Sequence, residues 1–376
     1  MSNISCAAPW RGLHINPRGD IKTCCAGDPN MLGNLNSQTI EEVLHGPIMQ
    51  EIRQTIRFGQ LHKTYCYNCV QAERYGRSER DWHNNVSPEF DPTTATNTEH
   101  LPTLIDVRWN TTCNLSCNYC AEACSSSWAN LKGVPVKSGA RSYYEQVCDY
   151  LEQHCDNIRE VALVGGEPLL LPENVRLLDV IPESATVTLI TNGSVDLANN
   201  KIFHKLAERN RVGWSISFDN ADEQFEYVRY GGSWDLLLSN IKQIQTLMTT
   251  KEHWGGIHAV YNLYNATQLV KFTEFARNCG LSIQWQSLYQ PNCLDPARLG
   301  QDVAQLAQAE INQLLATDLC QQSERLFFES VRQNFNQSQD DLRGLLRQHI
   351  QDIENKYHPD QLGQFARLWP ELSNLL

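Results

Sequence analysis

Residues 104–120 read LIDVRWNTTCNLSCNYC, and the way this stretch divides decides the fold. Leu104–Trp109 is short and apolar, with β-branched Ile105 and Val107, the composition of a buried strand. Cys113, Cys117 and Cys120 follow at once as C-x3-C-x2-C. Three thiolates on one loop can hold three irons of a [4Fe–4S] cube and leave the fourth without a protein ligand. Zinc prefers four closed ligands, usually from two C-x2-C pairs. Unrelated core cysteines are common singly and rarely fall as a triplet in a loop.

Outward from this stretch, the chain alternates strands with amphipathic segments. Strands are predicted at Leu104–Trp109, Glu160–Val164, Thr186–Ile190, Val212–Phe218, Gly256–Tyr261 and Ser282–Gln286. Helical patterns lie between them at Ser142–Cys155, Asn199–Asn210, Trp234–Met248 and Ala266–Cys279. Alternation of this kind predicts βαβ units and a parallel sheet, either open or curled into a partial barrel. The expected division is a cysteine-rich N-terminal unit over 1–85, with one helical stretch at Thr39–Arg57, and a polar linker over 86–102. The α/β region covers 103–290, and a helical region over 291–376 carries a Pro370-Glu371-Leu372 stop and no recognisable chemistry.

Composition narrows the function. The 376 residues carry a formal net charge of −12, and the Lys and Arg residues are scattered, so nucleic acid is an unlikely partner: phosphate contacts need a basic stripe. No apolar run reaches the roughly 18 residues of a membrane span, and Met1–Trp10 lacks the basic start and apolar stretch of a secretion signal. The expected location is the cytoplasm, where thiols stay reduced. Fourteen cysteines, tightly clustered, then point to metal rather than to disulfides.

The triplet resembles the signature of the radical S-adenosylmethionine (SAM) superfamily, in which the open iron binds the amino and carboxylate groups of SAM. The resemblance covers about 103–290 and implies an incomplete, TIM-like (β/α)6 barrel. It also implies site residues at C-terminal strand ends, where α/β barrels build their active sites. Gly165-Gly166-Glu167-Pro168 resembles the loop that holds the SAM amino group. Thr191-Asn192-Gly193 and Ser217-Phe218-Asp219 resemble positions near the SAM ribose, with Ser217 favoured. Arg229, in EYVRYGG, matches an Arg placed on the SAM carboxylate, a task suited to a bidentate guanidinium; its alternative is a surface ion pair. Tyr119 is expected to pack on the adenine, with Leu288 a weaker candidate for the same pocket.

A second cysteine set lies upstream. Cys6, then Gly19-x4-Cys24, then Cys66-x2-Cys69, resembles the opening of the SPASM and twitch auxiliary-cluster domains. IxPRGDIKTCC between them reads as a hairpin turning at Pro17–Asp20. Four thiolates close a second [4Fe–4S] cluster, which suits electron transfer or structure; a zinc ribbon is the rival. Two departures stand out: the unit precedes the barrel, and it holds only one cluster's worth of cysteines, as in a twitch domain. Cys25 is the alternative to Cys24. Cys124, Cys148, Cys155, Cys279, Cys293 and Cys320 are expected to be isolated buried thiols, Cys124 being notable beside the triplet.

The resemblance implies reductive cleavage of SAM to a 5′-deoxyadenosyl radical that takes a hydrogen atom from the substrate. The leading expectation is modification of a peptide, as in the maturation of ribosomal peptides; the alternative is a twitch-type dehydrogenase acting on a small molecule such as a sugar alcohol. An electron donor such as flavodoxin or ferredoxin is implied. No catalytic acid or base is assigned, since Glu122, Asp106 and His258 each read more readily as structural.

Overall fold

The computed structural model describes residues 5–25, 31–73, 78, 80–96, 99–136, 140–288, 290–335 and 340–376. Nine strands form its sheet: β1 (Gly12–Ile15), β2 (Asp20–Lys22), β3 (Gly33–Asn34), β4 (Leu104–Val107), β5 (Glu160–Leu163), β6 (Thr186–Thr191), β7 (Val212–Ser217), β8 (Trp254–Tyr261) and β9 (Ser282–Ser287). Their order is β3-β2-β1-β4-β5-β6-β7-β8-β9. From β4 to β9 each strand pairs in parallel with the next in sequence. Right-handed crossovers in one direction put the helices on one face and curl the sheet toward a barrel. The sheet does not close, and this is the partial (β/α)6 barrel that the resemblance implies.

Side-chain alternation separates the two faces. In β6, Val187 and Leu189 enter the apolar core that the helices cover, while Thr186, Thr188 and Ile190 are half-buried. In β4, Ile105 and Val107 join the same core, which turns Asp106 to the lumen face. The six predicted strands all form, with ends shifted by one to two residues.

The cysteine-rich segment is stitched into this sheet. Its hairpin turns where the sequence places it, with Asn16 N donating to Asp20 O at 3.1 Å and Gly19 at φ +80°. Strand β1 then pairs in parallel with β4, His14 opposite Asp106. Residues 86–96 and 99–102 lie strapped across the preceding segment: Trp10 Nε1 donates to Thr96 O at 2.7 Å, and Phe90 packs on Trp10.

One local expectation is corrected and another extended. The helical stretch at 39–57 is two helices, Ile40–Leu44, with a capping box between Thr39 and Glu42, and Pro47–Arg57. Pro47 lacks the N–H a continuous helix needs and opens a new first turn instead. For the same reason the Pro370 stop, which does end the helix Gln364–Leu368, is also the start of a last short helix, Pro370–Ser373. The C-terminal helices bring Leu346, Phe365, Trp369 and Leu372 onto Tyr227, Leu263 and Tyr264, a second apolar cluster at the C-terminal end of β8.

Candidate iron–sulfur and cofactor site

The loop after β4 is held from three sides. Ser126 Oγ accepts from Cys113 N at 3.0 Å, and Ser127 Oγ donates to Cys113 O at 2.7 Å. Trp128 Nε1 donates to Cys117 O at 2.9 Å. Across the loop, Ser116 N reaches Tyr230 O and Asn118 N reaches Val228 O, a ladder-like pairing with the chain around Arg229. The third support comes from the C-terminal region: His358 Nε2 lies 3.1 Å from Ser116 Oγ, and its ring stacks on Tyr230 at 3.7 Å. Sequence reading assigned that region no chemistry, and neither of the two His in the helical tail gives a signal of a contact with residue 116.

Burial pushes the Cys117 thiol up to about 12, with Arg229 pulling the other way, and raises Cys113 and Cys120 too. Thiols raised by burial ionise readily only beside added positive charge, which bound iron supplies. Among the described residues no three His, Cys, Asp or Glu side chains gather as a single ion requires.

The expected SAM-binding residues fall into two linked groups. In the first, Gly166 presses on the start of the cysteine loop: a Cβ there would stand 2.2 Å from Thr112 O. Gly165 has φ +139°. The Glu167 carboxylate turns inward and accepts from Leu169 N, Asn192 N and Thr191 Oγ1. Burial raises its carboxyl to about 7 against those three donors. Asn192 Nδ2 in turn reaches Asn114 Oδ1 at 2.8 Å and lies 3.8 Å from Cys113 Sγ. The expected loop, third-strand end and first cysteine are therefore one network, with Glu167 its buried tie.

In the second group, Asp219 Oδ2 accepts from Tyr119 Oη and from Arg229, while Oδ1 takes Val260 N at 2.7 Å. Arg229 is thus a buried ion-pair partner of Asp219, not a surface bridge. Ser217 ends β7 half-buried, opposite His258 of β8. Tyr119 and Leu288 pack against the same apolar cluster.

Upstream, Cys6, Cys24, Cys66 and Cys69 line one cavity together with Thr23, Arg80 and His83; Cys25 is not among its walls. Burial and their mutual repulsion push Cys6 up to about 12 and Cys66 to about 11. The remaining cysteines need correcting: Cys148, Cys293 and Cys320 are buried, but Cys155 and Cys279 are half-buried and Cys124 is exposed. Glu122 pairs with Lys132 at 2.8 Å. Asp106, which burial alone would raise, is held well below the usual carboxylate range by Arg108 and His14.

The cysteine triplet thus lies in the loop that follows β4, tied by hydrogen bonds to the loops that follow β5, β6 and β7. Residues 107–263 match the radical SAM superfamily model, and residues 6–70 match the SPASM model, described as an iron–sulfur cluster-binding domain. The chain thus carries a radical SAM domain with a SPASM-type domain ahead of it, which makes it an iron–sulfur enzyme. The cofactors are a SAM-binding [4Fe–4S] cluster, a second, auxiliary cluster, and SAM itself.

Among curated proteins, 7-carboxy-7-deazaguanine synthase of Clostridium acetobutylicum is 37% identical over 89 residues, which are 23% of this chain and 36% of that protein. The match therefore spans about a third of the relative's length. Among solved structures, Streptococcus suis SuiB bound to S-adenosylmethionine gives a TM-score of 0.41 at 18% identity, covering 57% of this chain and 47% of that one. The structure titled native anSMEcpe with bound AdoMet gives 0.40 at 18%, covering 56% and 58%. SuiB bound to precursor peptide SuiA gives 0.39 at 16%, covering 70% and 63%. No described helix is long and apolar enough to cross a membrane.

Proposed function

We propose that the chain uses SAM and reducing equivalents to abstract a hydrogen atom from a peptide. Cys113, Cys117 and Cys120 would hold the SAM-binding cluster, and Cys6, Cys24, Cys66 and Cys69 the auxiliary one. A cluster held by Cys113, Cys117 and Cys120 would supply the one electron that cleaves SAM reductively. Residues 1–85 would form the auxiliary unit, 86–102 its strap, 103–290 the barrel and 291–376 the helical cover.

The chain's own residues prepare that site. Gly165 and Gly166 bring backbone close to the triplet loop, with acceptors for an ammonium group. Arg229, fixed by Asp219, presents a guanidinium that cannot lose its proton to a carboxylate ligand. Tyr119 and Leu288 offer an apolar wall to the adenine, and Asn192, Ser217 and Asp219 polar groups to the ribose. The helical cover and the second apolar cluster would keep water from the reacting atoms.

The observation that carries the peptide reading is a cavity of about 750 Å³ along edge strand β9. Gln284 and Gln286 of β9, Asp81 and Trp82, and Leu326 and Ser330 line it. Gln284 and Gln286 are exposed, so this side of the barrel opens to solvent. A lateral opening beside the sheet's last strand accepts one side chain of an extended peptide while the rest stays outside; a sugar alcohol calls for an enclosed site. A flavodoxin or ferredoxin would deliver the electrons.

The test is anaerobic turnover of the reconstituted protein with dithionite and SAM, assayed for 5′-deoxyadenosine. The reaction is repeated with deuterated candidate peptides and a deuterated sugar alcohol. Deuterium passing from peptide to 5′-deoxyadenosine supports the proposal. Transfer from the sugar alcohol alone replaces it with the dehydrogenase reading, and absence of 5′-deoxyadenosine overturns both.

A further inference from the structure

The cavity bounded by the four upstream cysteines holds two polar side chains that hydrogen-bond to nothing: the Thr23 hydroxyl, and His83 at both ring nitrogens. His83 is 1% exposed and Thr23 4%. Stranding a buried polar group costs about 1–3 kcal/mol, so two on one cavity wall mark the place of an acceptor. The third polar wall residue is already engaged. Arg80 donates from Nε to Glu73 at 2.5 Å and from Nη1 to Ser5 O at 2.7 Å.

We propose that His83, aided by Thr23, donates a hydrogen bond to sulfur of the auxiliary cluster and raises its reduction potential, without ligating iron. This rests on the assignment of Cys6, Cys24, Cys66 and Cys69 to that cluster. Four thiolates complete the cube, so a fifth protein ligand has no vacant iron. The imidazole that shares this cavity with the four cysteines lacks an acceptor of its own. A donor aimed at cluster sulfur stabilises the negative charge gained on reduction, one of the ways a protein sets such potentials.

The ring is held from behind. His14 lies edge-on to His83 with centroids 5.0 Å apart, and His14 Nδ1 is 3.5 Å from Asp106 Oδ2. A Cβ on Gly12 would stand 3.0 Å from His14 Nε2 and 3.1 Å from His83 Cε1, so both rings close over a bare glycine. His14 and Asp106 are opposite one another on β1 and β4. They are positioning residues, and through them the donor is braced on the barrel's first strand.

The full chain carrying Cys113→Ala, Cys117→Ala and Cys120→Ala isolates the auxiliary cluster for EPR-monitored redox titration. About four irons per chain are expected in that background. In it, His83→Phe should lower the midpoint potential, cutting the reduced-to-oxidised ratio at the parent's midpoint about tenfold, or about 59 mV for one electron. His83→Gln, which keeps an N–H donor, should recover part of the shift. The parent itself should show a weak, D2O-exchangeable proton coupling and a weak coupling to 15N-labelled histidine.

An unchanged potential in His83→Phe overturns the proposal. So does a strong 15N coupling, which would make His83 a ligand, or no 15N coupling at all, which decides the matter even where the Phe variant does not fold. A triple-alanine protein without iron fails in a different way: it removes the cysteine assignment on which the proposal rests.

Discussion

Arg229 meets Asp219 through two nitrogens, Nε at 3.1 Å and Nη2 at 2.9 Å, both on the oxygen that also accepts from Tyr119. Both residues are buried. The guanidinium assigned to a cofactor carboxylate is thus already neutralised by a protein carboxylate that the peptide backbone of β8 holds in place.

Breaking that pair exposes its cost. Asp219→Ala leaves the Arg229 charge buried without a partner, and a change of this kind lowers the unfolding free energy by about 3–5 kcal/mol. Urea denaturation of the purified protein measures it. Arg229→Leu in the same background should restore part of the loss, because it removes the stranded charge.

Gly166 sits where any side chain collides with backbone. Gly166→Ala must displace Thr112 and with it the start of the cysteine loop. We expect SAM affinity to fall at least about tenfold, or about 1.4 kcal/mol, with the iron content of both clusters kept. Equilibrium dialysis with labelled SAM reads the first, and iron assay the second.

Iron counting separates the cysteines. The reconstituted chain should hold about eight irons. Cys24→Ala should lower the count toward four and Cys25→Ala should not, since Cys24 lines the upstream cavity and Cys25 does not. Equal losses would make the two interchangeable.

Glu167 gives a pH signature. Its folded carboxyl is raised to about 7 from an ordinary value of 4.5, so between those values the folded state holds more proton than the unfolded one. Its contribution is fully present below about pH 4.5 and is lost as pH rises toward 7. Glu167→Gln should flatten that fall in stability, measured by urea unfolding of the protein and the variant across pH 4.5–8.

His358 should matter to the cluster loop despite lying 242 residues from Ser116 in sequence. His358→Phe keeps an aromatic ring on Tyr230 but loses the contact with Ser116. The expected result is faster iron loss to a chelator, with the melting temperature little changed.

The six barrel strands were legible because each is a short apolar run between amphipathic segments. The triplet was legible because its spacing is local. What stayed hidden joins residues far apart in the chain. The β1–β4 pairing brings His14 to Asp106, and periodicity carries no information on which strands meet. Arg229 could be matched to a motif position, but its engagement with Asp219 depends on packing behind β7 and β8. The choice of Cys24 over Cys25 turns on which way a hairpin end faces, and adjacent residues look alike in sequence. The break at Pro47, by contrast, was in plain view.

The pairing of β1 with β4 has a practical consequence. Strand β1 covers the barrel's first strand, so trimming it away would not simply remove an accessory module. It would uncover a row of unpaired amide and carbonyl groups on β4, a template for strand addition from another molecule. A shortened chain designed to isolate the catalytic half should therefore be recovered as aggregate.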